Sequence, residues 1–288
     1  MNAQSLSVCV PASCPNKCKF CVSHMHDNIY EDKIKSLENW YKNMIDYKNR
    51  LEFARDNNVH NLILTGIGEP MANMDFIERF SLLNKCLASP FKWMEIQTSG
   101  VYASLKNLEK LKYDVGIKTI SLSLSSFNSD LNAEINGTPD KLKFNIPTLC
   151  KNIKDMGFNL RLSLNMTNTF AMPPTDLFTE CKILHADQVT LRVLYNSSQD
   201  YLIENIWIKN NKCSTRYINE FIEYIKSIGT KLHKLSFGAI KYSLNEMSIV
   251  VDNDCMSTEI KDNVIKYMIL RPDCKLYTQW DDKGSLLF

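Results

Sequence analysis

No run of apolar residues in this 288-residue chain approaches the roughly 18 that a membrane-spanning helix needs. Net charge is nearly absent as well. The 34 Lys and Arg against 32 Asp and Glu leave a formal +2, so there is neither a basic field to attract nucleic acid nor an acidic excess to repel it. Tandem repeats and low-complexity tracts are missing, which excludes solenoids and repeat arrays. The opening MNAQSLSVCVPASC has no charged start followed by a long apolar stretch, so no signal peptide is expected and a cytoplasmic location is. What remains is an ordinary globular mixture, 44% apolar and 23% charged, long enough for one large domain or a domain with a subdomain. It also contains ten cysteines. In a reducing compartment these should be thiols, and metal binding outranks disulfides. Seven of them, Cys9, Cys86, Cys150, Cys181, Cys213, Cys255 and Cys274, sit alone in ordinary segments and read as small core residues.

Short β-branched or apolar runs alternate with longer amphipathic stretches. Strands are expected at SLSVCV, 60–66, 93–100, 118–126, 159–167 and 188–195, and helices near 33–57, 74–88, 103–112, 142–156 and 174–184. Strands separated by helices cannot form hairpins, so the expected fold is α/β, a partial (β/α)6 TIM-like barrel over residues 1–195. Beyond Tyr195 the rhythm changes. Residues 196–215 read as loop with some extended structure, INEFIEYIKSIGT as a helix, and MSIVVD, VIKYMIL and CKLYTQW as strands. Residues 196–288 are therefore expected to form a small antiparallel α+β extension covering the barrel and shaping the substrate site.

Chemistry in such a barrel gathers where the loops leave the strand C-termini. There the first strand is followed by CPNKCKFC, which places Cys14, Cys18 and Cys21 four and three residues apart. The second strand is followed by GIGEP, the third by TSG and the fourth by a serine pair. Three thiolates leave a tetrahedral site one ligand short. A zinc knuckle would borrow His24 or His26 and make a non-enzymatic, zinc-stabilised binding module. An iron–sulfur cluster would instead keep one iron open for a small molecule.

Cys14, Cys18, Phe20 and Cys21 reproduce the Cys-x3-Cys-x-aromatic-Cys motif, and Gly66, Gly68, Glu69 and Pro70 stand one βα unit later. In these features the chain resembles the radical S-adenosylmethionine (radical SAM) enzymes over about residues 6–195. The resemblance implies a 4Fe-4S cluster on the three cysteines, with S-adenosylmethionine (SAM) chelating the open iron. It also implies reductive cleavage of SAM to a 5′-deoxyadenosyl radical, and hydrogen abstraction from a small-molecule or peptide substrate. A reducing partner such as flavodoxin or ferredoxin would supply the electron. Gly66 and Gly68 are expected to let the backbone approach SAM, and Glu69 to accept from its ammonium. Ser123, Ser125, Asn165 and Arg192 are candidate SAM contacts. Ser123 and Ser125 share a face by alternation, with Ser121 and Ser126 beside them. Arg192 suits either a SAM carboxylate or a structural ion pair.

Fold and motif do not choose a substrate. Cys213, Cys255 and Cys274 stand where related peptide-modifying enzymes carry an auxiliary cluster, but no close cysteine pair accompanies them. In RPDCKLYTQW, Cys274 occupies the position of a turn glycine, and Tyr277 and Trp280 read as core. Viperin-like nucleotide dehydratases and adenine-methylating RNA enzymes are the alternative relatives. The near-neutral charge disfavours nucleic acid.

Overall fold

Strand β1 (Asn2–Cys9) shows how the local pattern builds the molecule. Leu6 and Val8 are fully buried in the main core, and the intervening Ser5 and Ser7 face the other way. The same alternation recurs along the sheet. The computed structural model describes residues 2–25, 37–197, 199, 201–234, 240–252, 264–280 and 282–287. After β1 come α1 (Val22–Met25), α2 (Leu37–Asp56), β2 (Asn61–Thr65), α3 (Met74–Lys85), β3 (Trp93–Thr98) and α4 (Leu105–Glu109). There follow β4 (Thr119–Leu124), α5 (Ser129–Ile135), α6 (Ile146–Asp155), β5 (Asn159–Asn165), α7 (Pro174–Ile183) and β6 (Gln188–Arg192). Side chains of Ser104, Asn128 and Asn145 accept the N–H three residues on and start α4, α5 and α6, each cap worth about 1 kcal/mol.

Strands β1 to β6 pair in sequence order, all parallel, as the βα rhythm required. The helix expected from residue 33 is seen from Leu37, and 33–36 lie outside the described residues. Besides the four-residue α1, two helices escape the sequence reading. One is α5, only seven residues long. The other is α8 (Ile203–Asn211), which replaces the extended structure expected there; its apolar residues are too few for a clear periodicity, yet Ile208 is buried.

The last third departs most from expectation. After α9 (Thr215–Ile228), strands β7 (Thr230–Lys234), β8 (Ile240–Leu244) and β9 (Met247–Asp252) form an antiparallel meander, of which only β9 was expected from the sequence. They do not form a layer of their own, because β9 pairs parallel with β6. Likewise β10 (Val264–Leu270) pairs parallel with β1 and forms a hairpin with β11 (Leu276–Tyr277). One eleven-stranded sheet results, in the order β11-β10-β1-β2-β3-β4-β5-β6-β9-β8-β7, open between its ends. Both exposed edges of the six-stranded core are thereby covered, which removes unpaired backbone from solvent. In the β10–β11 turn, Cys274 has φ 65, the left-handed geometry that a glycine adopts more easily. Tyr277 packs with Cys9 and Ile269 on the inner face, where Trp280 joins them.

The helix-facing side of the sheet carries Leu62, Leu64, Ile96, Ile120, Leu122, Leu160, Leu162 and Leu191, all buried in the main core. The opposite side is polar: Ser5, Ser7, Glu95, Thr119, Ser121 and Ser163 are buried there. Closed βα barrels fill their interior with branched apolar chains. Here the interior is left with cavities.

Candidate functional site

The chain leaves β1 still tied to β2, Val10 N–H donating to Thr65 O at 2.7 Å. The cysteine loop that follows is clamped from two sides by backbone. On one side Glu69 N–H donates to Ser13 O at 3.2 Å, and Asn73 Nδ2 donates to Pro11 O at 2.7 Å. On the other, Lys17 N–H donates to Asn136 O at 3.0 Å and Lys19 N–H to Ile135 O at 3.2 Å. The short helix α5 thus exists to present its C-terminal carbonyls to the loop, satisfying orphan acceptors of the helix end. Gly68 and Gly137 make both clamps possible. A Cβ on Gly68 would lie 2.0 Å from Ala12 O, and one on Gly137, whose φ is +55, would lie 2.6 Å from Lys17 O. Gly68 thus admits the cysteine loop, and it also lines the cavity that a ligand would enter.

A cavity of about 240 Å³ at the strand C-termini collects the expected residues. Cys14, Cys18 and Cys21 line it together with Phe20, Gly66, Gly68 and Glu69 from the first two loops, and with Ser123, Asn165 and Arg192 from β4, β5 and β6. Ser125 does not line it. Strand β4 ends at Leu124, so alternation no longer aims the next serine at the cavity. Ser125 is fully buried, donating from its N–H to Asn132 Oδ1 and from its Oγ to Asn136 Oδ1, both at 2.8 Å, and accepting from Asn165 Nδ2 at 3.5 Å. It supports two wall residues rather than forming the wall.

Thr98 and Ser99 also line the cavity, as do Asn16, Gln97 and Asn136, which were not singled out from the sequence. For Thr98 and Ser99 the signal was present in TSG, a turn of common composition. Asn16 is 6% exposed, and neither its Oδ1 nor its Nδ2 has a hydrogen-bond partner. A buried amide in that state waits for a ligand.

Two of the thiols, Cys14 and Cys18, are held in a setting that resists ionisation. Burial, then the charges of Cys21 and Cys14, push the Cys18 thiol up to about 12. Burial likewise raises Cys14, against a hydrogen bond from the Asn16 backbone. Metal binding must displace those protons. His24 does not turn toward the cysteines: its Nδ1 lies 3.3 Å from Glu204 Oε1, and His26 is outside the described residues. Among the described residues no group of three or more His, Cys, Asp and Glu side chains converges on a single ion position. Three sulfurs around a shared cavity, with an unpartnered amide beside them, fit a cluster instead.

Glu69 is 2% exposed. Its carboxylate accepts from Met71 N–H at 3.2 Å, Thr98 Oγ1 at 2.7 Å, Ser99 N–H at 2.8 Å and Ser99 Oγ at 2.7 Å. Burial pushes the carboxyl up from its ordinary value, and the four donors pull it down. A carboxylate offers about four lone-pair positions. Four protein donors engage it, so this geometry makes Glu69 the tie between the second and third loops, and the residue also lines the cavity.

The C-terminal segment packs behind one wall of the cavity through α8. The Trp207 ring lies 5.8 Å from that of Phe20, and Leu194, Tyr195 and Leu202 pack in the same small cluster. Replacing Trp207 with Ala is expected to cost about 1 kcal/mol of ring–ring contact beyond lost burial. It should also shorten the lifetime of an assembled cluster in air. A denaturant melt and the decay of visible absorbance check the two effects.

The thiols considered for an auxiliary cluster are separated. Cys213 is buried after α8, its N–H donating to Met166 O at the end of β5, whereas Cys274 lies in the β10–β11 turn. Four strands stand between β5 and β10 in the sheet, and Cys255 is outside the described residues.

Comparison with known proteins bears on the family and the fold. A family model described as the radical SAM superfamily matches residues 8–173. A probable dual-specificity RNA methyltransferase RlmN from Lachnospira eligens is 29% identical over 130 residues, 43% of this chain and 34% of that protein. Streptococcus suis SuiB bound to S-adenosylmethionine superposes with a TM-score of 0.61 at 18% identity, over 96% of this chain and 60% of that one. For anSMEcpe with bound AdoMet the TM-score is 0.65 at 12% identity, over 98% and 77%. The chain thus spans about a third of the methyltransferase and three fifths of SuiB. At these identities the solved structures show the fold.

Proposed function

The chain belongs to the radical SAM superfamily, and from that premise we propose that it abstracts hydrogen from a small-molecule or peptide substrate. It is an enzyme whose cofactors are a 4Fe-4S cluster and SAM. One observation carries the reading: the three motif cysteines and the Gly66–Glu69 loop line a common cavity at the strand C-termini. Cys14, Cys18 and Cys21 would hold three irons. When bound, the cofactor pair supplies a 5′-deoxyadenosyl radical, formed when one electron enters SAM and its C5′–sulfur bond breaks to release methionine.

The protein's own tasks are positional. The Ser123 hydroxyl, the Asn165 amide and the Arg192 guanidinium line the wall across from the cysteine loop and suit the ribose and carboxylate of SAM. Phe20, Trp207 and Leu194 restrict water on the cluster side. An electron donor such as flavodoxin or ferredoxin completes the requirement, and a cytoplasmic location suits thiols that must stay reduced. No helix among the described residues is long and apolar enough to cross a membrane.

Peptide substrates draw support from SuiB, solved with its precursor peptide SuiA, and from anSMEcpe, solved with the peptide Cp18Cys. The RNA reading rests on a 130-residue match and meets a nearly neutral chain. Anaerobic reconstitution with iron and sulfide tests the proposal. The expected product is a brown protein that, once reduced, converts SAM to methionine and 5′-deoxyadenosine. A colourless protein that binds zinc and leaves SAM whole overturns it.

A further inference from the structure

Beneath the SAM cavity the polar face of the sheet encloses a second one, of about 390 Å³, toward the strand N-termini. The two cavities share Gln97 and Arg192 in their walls, so they adjoin through the middle of the barrel. Four cationic side chains line the lower one, Arg161, Arg192, Lys241 and Lys266, against one carboxylate among the described residues, Glu95.

Glu95 is already engaged. Arg161 Nη1 stands 2.6 Å from its carboxylate, and the Nε and Nη2 of Arg161 donate to Gln188 Oε1 at 2.9 and 2.7 Å. Arg161 is therefore a fixed, oriented charge. Lys241 comes from β8 on the added meander and is half-buried beside it. Burial, then the charge of Arg161, lowers the Lys241 ammonium from its ordinary value, and no carboxylate among the described residues counters either effect. Cations gathered in a half-enclosed cavity repel one another more strongly than at an open surface. The wall also has an unmet acceptor, since Gln4 Oε1 is buried without a partner.

We propose that the lower cavity binds the substrate of this enzyme, a small molecule bearing a carboxylate or phosphate group, with Lys241 on the anion and the reacting carbon directed past Gln97 and Arg192 toward SAM. The inference rests on the radical SAM reading and names the substrate class for it. Size is compatible, because pockets of some 300–1,000 Å³ hold small ligands. A half-enclosed barrel interior suits a compact anion better than an extended peptide, which pairs along exposed strand edges. The recognition is supplied by β8, outside the residues that match the family, which is where substrate choice is expected to diverge.

The test titrates the reconstituted protein, without SAM or reductant, with inorganic phosphate in one arm and succinate in the other. Chloride holds ionic strength constant and Tm is the readout. A saturable rise in Tm in at least one arm is expected, and the responding arm identifies the anionic group. Lys241→Gln should weaken the apparent affinity about tenfold and Lys241→Arg should retain it, as for a charge-assisted hydrogen bond. The ligand-free Tm of each variant reports its folding separately. No saturable shift in either arm, or an equal shift in Lys241→Gln, overturns the inference and leaves the peptide reading. Because the readout needs no SAM cleavage, loss of anion binding in a protein that still cleaves SAM sinks this inference alone. Anion binding by a protein that cannot cleave SAM sinks the enzymatic reading.

Discussion

Gly68→Ala is expected to fold and yet fail to assemble its cluster. The added Cβ would lie 2.0 Å from Ala12 O, 2.8 Å from Ala12 C and 2.9 Å from Ser13 C, all backbone atoms of the strand exit leading into Cys14. No rotamer change relieves such a clash, so the two loops must part by about 1 Å or more. The hydrogen bond from Glu69 N–H to Ser13 O is then the first to break. Overpacking of this kind costs about 1–3 kcal/mol, which the large core on the helix side of the sheet can absorb. The cluster is more demanding, because its ligands have fixed positions. Displacing the segment next to Cys14 by that distance should reduce SAM cleavage about 100-fold. Iron per chain after reconstitution, with 5′-deoxyadenosine yield, measures both effects. Gly66→Ala provides a second case: its closest contact is longer, 2.9 Å to Val10 O, but its φ of +159 is one that side-chain-bearing residues rarely adopt, so a loss of iron is expected there as well. Wild-type iron content in Gly68→Ala would mean that the loop contact does not position the cysteines.

Glu69→Ala should separate SAM binding from cluster binding. It removes the acceptor for Met71 N–H, Thr98 Oγ1, Ser99 N–H and Ser99 Oγ at once. Each unmet buried donor costs about 1–3 kcal/mol, reduced where water enters from the cavity, so a net loss of about 3 kcal/mol is expected. The Thr98–Ser99 turn then loses its attachment to the second loop, while the α5 clamp on the cysteine loop remains. Cluster content should therefore stay near wild type and the apparent KM for SAM should rise about tenfold or more. Glu69→Gln should fall between, because its amide keeps the shape but sets an N–H against fixed N–H and O–H donors. An unchanged KM in a fully loaded Glu69→Ala protein would remove the carboxylate from the account of SAM binding.

The cysteine spacing and GIGEP were legible because both are contiguous and each follows a strand whose apolar run is unmistakable. Ser123 and Asn165 were legible for a related reason, since alternation along a strand says which side chains share a face. The same rule misplaced Ser125 one residue past the end of β4, where alternation stops. Asn16 and Asn136 carried no such signal. Their importance comes from what the folded chain puts beside them: a cavity for both, and for Asn136 also the Lys17 N–H and the Ser125 hydroxyl.

Local pattern alone determined a parallel βα sheet, a thiol triplet at its C-terminal edge and a polar inner face, because side-chain periodicity reports which face of each element is buried. Tertiary structure alone decided that β9 and β10 extend the two edges of that sheet, that α5 and α8 hold and cover the cysteine loop, and that cations from β5, β6, β8 and β10 meet in one cavity. Pairings between segments about 260 residues apart leave no trace in local periodicity. They are chosen by which edges and faces remain unsatisfied once the local elements have formed.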